Sequence, residues 1–137
     1  MDRLQNIDLT DKEFRRLLDL VYIGNWILNS TRSNDRFEDY DIVQEKLFSL
    51  CSKNGMQSLI QSWRGHIFPS KAYEDGGIHE AIADYEDAVF FDILAEELSR
   101  RDLGDDADLA SLSARIDEYM DEFEKNGLNN LTIDIDS

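Results

Sequence analysis

With 137 residues, 42% of them hydrophobic and 10% aromatic, the chain has the length and apolar content of one folded domain rather than of a disordered acidic tail. A formal net charge of −16 argues against direct contact with nucleic acid or an anionic membrane. The single cysteine, Cys51, excludes an internal disulfide and a cysteine-based metal site.

The charge is one-sided. Residues 1–73 carry ten acidic and ten basic side chains, whereas residues 74–137 carry twenty acidic and four basic. The first half is therefore neutral and the second holds the whole excess. The opening MDRLQNIDLTDKE lacks the basic start, apolar centre and small-residue cleavage site of a secretory signal, and no run reaches the ~20 apolar residues of a membrane span. The expectation is a cytoplasmic protein without a membrane partner.

Thr10 followed by Glu13 reads as a capping box opening the first helix. Phe14, Leu17, Leu18, Val21 and Leu28 share one face, Leu20, Ile23 and Ile27 the opposite one, and Trp26 lies between. A helix apolar on several sides belongs at the centre of a core or in an interface. This one is expected to be the hub of the fold or, alternatively, the seam of a homodimer. It should end near Asn29, before the loop chemistry of STRSNDR.

A second helix is expected over about Tyr40–Lys53, burying Val43, Leu47, Leu50 and Cys51, with Asn54-Gly55 as its left-handed stop. Met56, Leu59, Ile60 and Trp63 have the spacing of a short helix. RGHIFPSKAYEDGG follows as the main irregular segment, with the only proline, Pro69.

A third helix is expected over about Ile78–Leu103, stopped by Gly104. The fourth covers about Leu109–Lys125, with Leu109, Leu112, Ile116, Tyr119 and Phe123 as its stripe and Asn126-Gly127-Leu128 as a Schellman ending with its hydrophobic follow-on contact. The tail, 126–137, alternates Leu131, Ile133 and Ile135 with Thr132, Asp134 and Asp136, as a short strand or a frayed end would. The fold class is thus all-α, one domain over 1–137. It is a compact bundle or irregular array of about four long helices plus a short one, with a short extended or frayed C-terminal tail.

The third helix holds the main chemical question. At roughly 100° per residue, Ile78, Ile82, Tyr85 and Val89 lie on a stripe that continues into Asp92 and Glu96. Across the helix Glu80, Asp84 and Asp87 are followed by Phe91, Leu94 and Leu98, so the apolar face changes sides midway. Glu80, Asp84 and Asp87 would line one edge of a hard-cation site if they turned inward, since Mg²⁺ takes oxygen ligands completed by water and phosphate. The plainer reading leaves them in water.

Helical pyrophosphohydrolases of the MazG kind hold Mg²⁺ with E-E-x-x-E followed by E-x-x-D. Here Glu96-Glu97 meets Arg100 where that pattern has an acid, and Glu118-Tyr119-Met120-Asp121 is similar to the second half alone. The similarity assigns no family. It frames the enzyme alternative, a Mg-dependent, all-α nucleotide pyrophosphohydrolase.

The remaining candidates are modest. Trp63, Arg64, His66, Phe68 and Tyr73 have the composition of a contact loop, or of a loop tucked onto the bundle. His79 starts the third helix without a ligand partner three or four residues on, and Cys51 sits on an apolar stripe as inert filler. No G-x-S-x-G elbow or Gly-rich phosphate loop is present. The leading expectation is a non-catalytic protein–protein interaction module with no cofactor, binding a protein with a basic surface. In its strongest form the chain is a nucleic-acid mimic.

Overall fold

In the computed structural model, which describes residues 6–136, Thr10 caps α1 (Asp11–Asn29) as its spacing requires. Its hydroxyl accepts from the Glu13 amide at 3.1 Å, and the Glu13 carboxylate accepts from the Thr10 amide at 2.9 Å. The other elements are α2 (Glu38–Ser49), β1 (Ile60–Trp63), β2 (His66–Pro69), the single turn α3 (Lys71–Tyr73), α4 (His79–Leu103) and α5 (Leu109–Asn126). Helix dominates, in agreement with the all-α expectation, and the only sheet among the described residues is the β1–β2 pair. The chain divides into two compact units, Met1–Ile82 and Ala83–Ser137.

The core of the first unit joins Phe14, Leu18 and Tyr22 of α1 to Phe48, Cys51, Tyr73, Ile78 and Ile82. α1 buries one face fully, and Ile23 beyond it packs partly against the same core. Phe14, Leu18, Tyr22, Asn25 and Asn29 form that face, while Leu20 and Ile27 across the helix remain 70% and 61% exposed. The all-round apolar pattern therefore overstated how far the unit wraps the helix. Two asparagines and a tyrosine hold positions that a count of aliphatic residues misses.

α2 shows the same displacement. Phe48 and Cys51 are buried, but the expected Val43 and Leu50 are exposed. The inward line instead begins with Asp41 and Gln44, whose side chains accept hydrogen bonds from Asn25 Nδ2 at 3.0 and 3.1 Å. After Ser49 the helix tightens into a 3-10 turn, Leu50–Ser52, and Gly55 then takes the left-handed φ of 71°.

The short helix expected at 56–63 is realised only as one 3-10 turn, Gln57–Leu59; Ile60–Trp63 is a strand instead. Arg64 and Gly65 close the hairpin with φ of 51° and 79°, and Trp63 faces His66 across it. Two positive φ values make this a type I′ turn, whose twist matches that of the paired strands. Pro69, opposite Ile60 at the end of β2, needs no ladder donor there.

Ser70 then donates from Oγ to the Ser58 carbonyl at 2.6 Å and accepts from the Tyr73 amide at 3.1 Å, which starts α3. Glu74–Ile78 winds as a π-helix broken at Gly77, where φ is 110°. That conformation is strained for any residue with a side chain, and it redirects the chain into α4.

α4 begins in the first unit, with Ile82 buried there, and continues into the second. Residues 83–88 are exposed on every side. In the second unit Ala95 and Ser99 of α4 are buried, as are Leu112 and Phe123 of α5, and the Phe91 and Phe123 rings lie 5.4 Å apart. The side-swapping stripe is thus the passage of one helix from one core to another. On α5 the expected stripe is inward at Leu112, Ile116, Tyr119 and Phe123, while Leu109 is exposed. Gly127 ends α5 at φ 56° and ψ −130°, outside the left-handed helical region, and donates to the Phe123 carbonyl at 2.9 Å, a single bond in place of the expected Schellman pair. Beyond Leu131 the tail has no regular structure, and Ser137 lies outside the described residues.

Candidate functional site

The hairpin separates the five aromatic-loop candidates. Trp63 (58% exposed), Arg64, His66 and Phe68 all face solvent, with the Arg64 guanidinium 4.4 Å over the Trp63 ring. Trp63 and His66 are cross-strand neighbours, and His66 Nδ1 meets Glu45 Oε1 of α2 at 2.8 Å. The same Glu45 oxygen accepts from the Ile67 amide at 3.4 Å, so one carboxylate ties the hairpin to α2. A cleft of about 520 Å³ opens alongside, lined in part by Arg36, Asp41, Glu45, His66 and Phe68.

Tyr73 goes the other way. It is fully buried and serves as an aromatic centre of the core, edge-on to Tyr22 at 5.3 Å and to Phe48 at 5.1 Å. Its hydroxyl donates to Asp19 Oδ1 at 2.8 Å, and Arg15 both pairs with that oxygen at 2.6 Å and covers the Tyr73 ring at 4.6 Å. Burial and the adjacent Asp19 push the Tyr73 phenol well above its ordinary range.

Sequence reasoning missed a second polar cluster. The Tyr22 hydroxyl lies 2.7 Å from His79 Nε2 and 3.3 Å from Glu74 Oε2, with Trp26 edge-on to the imidazole at 4.8 Å. With the proton on Nε2, His79 donates to the Tyr22 oxygen and Tyr22 donates to Glu74; with it on Nδ1, Nε2 competes with Glu74 for the single hydroxyl proton. Burial, then Glu74, pushes the Tyr22 phenol up to about 12. No sequence signal joins residues more than fifty positions apart. The buried Asn25–Asn29 pair was readable, because two amides four apart break an apolar helix face.

The metal candidates do not gather. Glu80, Asp84 and Asp87 are all exposed, and among the described residues no three His, Cys, Asp or Glu side chains approach closely enough to hold a metal ion. Glu96 is occupied by Arg100 at 2.7 Å and Glu118 by Arg115 at 2.8 Å. Cys51 is fully buried, and that burial raises its thiol above the usual range, away from nucleophilic use. No helix among the described residues is long and apolar enough to cross a membrane.

The second unit has its own charged centre. Asp102 accepts from the Tyr119 hydroxyl, from Arg115 Nη2 at 2.8 Å and from Arg101 Nη2 at 2.8 Å, linking α4 to α5. Those donors, the Tyr119 hydroxyl foremost, hold its carboxyl well below the usual carboxylate range. A folded-state pKa below the unfolded one contributes stability above the unfolded value of ~4, and that stability is lost as pH falls past it. Asp102→Asn is therefore expected to remove one component of acid unfolding in this unit. Helicity followed by circular dichroism from about pH 5 downward checks this against the parent chain. Superimposable acid profiles would refute it.

The class of protein these observations define is a mostly α-helical chain of two compact units, with an exposed aromatic hairpin in the first and a concentration of acid in the second. Neither a protein-family model, nor a curated protein, nor a solved structure matches it.

Proposed function

We propose that the chain is a non-catalytic interaction module whose second unit presents carboxylates to a basic surface of a partner protein. The observation that carries this reading is the state of the charges in residues 83–137. Seventeen acidic side chains stand there against four basic ones, and three of those four, Arg100, Arg101 and Arg115, are held by Glu96, Asp102 and Glu118. Asp84, Glu86 and Asp87 project from a bare stretch of α4, and among the described residues no Lys or Arg pairs with them. A field of one sign speeds encounter with its opposite and weakens with salt. The hairpin's Trp63, Arg64 and Phe68 supply the kind of side chains that give such an encounter specificity. A nucleic-acid mimic is the sharper form of this reading.

Capture on the immobilised chain is expected to retain basic proteins at low salt and release them as salt is raised. Asp84→Asn/Glu86→Gln/Asp87→Asn is expected to reduce that retention. Duplex DNA competing for the retained proteins supports the mimic, and its failure to compete removes the mimic alone. If no basic protein is retained at low salt, the whole reading falls. Millimolar Mg²⁺, with or without a nucleoside triphosphate, is expected to leave the Tm unchanged. A ligand bound only by the folded state raises stability by mass action, so a rise of several degrees would favour the phosphohydrolase instead.

A further inference from the structure

β1 presents an open edge. The Ser70 amide donates to the Leu59 carbonyl at 2.9 Å, and bonded pairs alternate along an antiparallel ladder, so the bonded pairs of the hairpin are Gln61–Phe68 and Trp63–His66. The peptide groups of Ile60 and Ser62 therefore point away from β2. The Gln57 carbonyl takes the Ile60 amide. Among the described residues no group bonds the Ser62 amide, the Ser62 carbonyl or the Ile60 carbonyl. The outer edge of β2, by contrast, is closed: the Ile67 amide donates to Glu45, and Pro69 has none to offer. Exposed edges are ordinarily blunted by charge or proline, and Ile60–Trp63 carries neither.

The tail is a strand pattern without a partner strand. Leu131, Ile133 and Ile135 alternate with Thr132, Asp134 and Asp136, yet the segment has no regular structure, and Ile133 and Ile135 are 78% and 84% exposed. Edge and tail are each left uncovered in a single chain, so the strand that fits the edge is supplied by a second copy. We propose that residues 131–136 of one copy add as a third strand, parallel to β1, on the open edge of another. In this register Ile133 lies beside Gln61, Asp134 beside Ser62, Ile135 beside Trp63 and Asp136 beside Arg64. The Ser62 amide then donates to the Ile133 carbonyl, while the Ser62 and Ile60 carbonyls accept from the Ile135 and Ile133 amides. All three open groups are satisfied. Main-chain bonds of this kind supply affinity, and alternating side chains supply register. Ile133 and Ile135 come to the face that carries the exposed Trp63.

Charge sets the direction. Arg64 lies over the Trp63 ring and pairs with no carboxylate among the described residues, so it is open to Asp136. An antiparallel strand would carry Asp136 to Ile60, at the far end of β1. Parallel pairing is slightly weaker per residue, and over so short a contact one ion pair offsets the difference. The receiving edge belongs to the charge-neutral residues 1–73, so the acidic tail meets no net repulsion there. Three main-chain bonds make a small contact, which predicts a weak, concentration-dependent association.

Amide exchange in the intact chain, followed residue by residue by NMR, tests this. Between ~0.05 and ~1 mM, exchange at Ser62, Ile133 and Ile135 is expected to slow together by about twofold or more, while Thr132 and Asp134 keep their rates. Ile133→Ser/Ile135→Ser changes only exposed residues outside regular structure, so the fold is retained, and the concentration dependence at Ser62 is expected to vanish. The Asp84→Asn/Glu86→Gln/Asp87→Asn chain is expected to keep it, so this proposal and the basic-partner reading fail separately. Four results would overturn the proposal. They are a Ser62 rate that is the same at every concentration, slowing that survives Ile133→Ser/Ile135→Ser, its loss in the α4 variant, and slowing of Asp134 in place of the two isoleucines, as an antiparallel strand would give.

Discussion

Tyr73→Ala is expected to destabilise the first unit by about 3–5 kcal/mol, the cost of deleting a large aromatic side chain from a packed interior. A domain is stable by only ~5–15 kcal/mol, so the loss takes about a fifth or more of what holds the unit together. Tyr73 merits that figure because it is fully buried and joins its own α3 to two further elements at once. Its ring meets Tyr22 of α1 and Phe48 of α2 edge-on, and its own backbone sits in α3, anchored by Ser70. Deleting the side chain also removes a donor from Asp19. Tyr73→Phe separates the two contributions. The ring contacts remain, and Asp19 keeps Arg15 and Arg16, so a loss of about 1.5–3 kcal/mol is expected from the hydrogen bond to a charged acceptor. Both tryptophans, Trp26 and Trp63, lie in the first unit, so urea unfolding followed by their fluorescence reports on it. A Tyr73→Ala midpoint within error of the parent would remove Tyr73 from the centre of the core.

Asn29→Ala carries the second-largest expectation, about 2–3 kcal/mol, from polar groups rather than volume. Asn29 is 1% exposed. Its Oδ1 accepts from the Phe37 amide at 2.7 Å, while Nδ2 donates to the Phe37 carbonyl at 3.1 Å and to Asn25 Oδ1 at 2.6 Å. This one amide fixes the residue that starts α2, and no side chain of Phe37 itself caps that helix. Alanine removes all three bonds and leaves the Phe37 N–H and Asn25 Oδ1 without their partners. Leaving buried polar groups unmatched costs more than the bonds contribute in sum. Asn29→Asp sharpens the test. The carboxylate still accepts from Phe37 N–H, but it faces two oxygens that formerly accepted from Nδ2. At neutral pH it is expected to be at least as damaging as alanine, with partial recovery as acid protonates it. Recovery toward alkaline pH instead would refute this account.

The aromatic hairpin shows how one spacing admits two folds. Met56, Leu59, Ile60 and Trp63 fit a helical turn, and Gln57–Leu59 does make one in the 3-10 form. Arg64-Gly65 then adopts two positive φ angles, and a strand pair buries Pro69 and part of Ile67. Apolar spacing over eight residues carries too little information to choose, whereas the strand paired across the two-residue turn settles it. The same limit explains Tyr73. As an aromatic in a loop-like segment it qualified equally for a partner contact and for the core, and only the positions of Tyr22, Phe48 and Asp19 decide between them.

What the amino-acid order determined by itself is local. The Thr10–Glu13 box, the left-handed Gly55, the helix stop at Gly104 and the Leu112–Phe123 stripe depend on neighbours within a few residues, and each is realised. The charge division is likewise a property of composition. Tertiary structure alone decided which face of α1 is buried, that α4 serves two cores in succession, and that Glu80, Asp84 and Asp87 lie in water. The reason is the same in each case. A helix pattern states which side chains favour burial, but the partner that covers them, or leaves them bare, comes from elements tens of residues away.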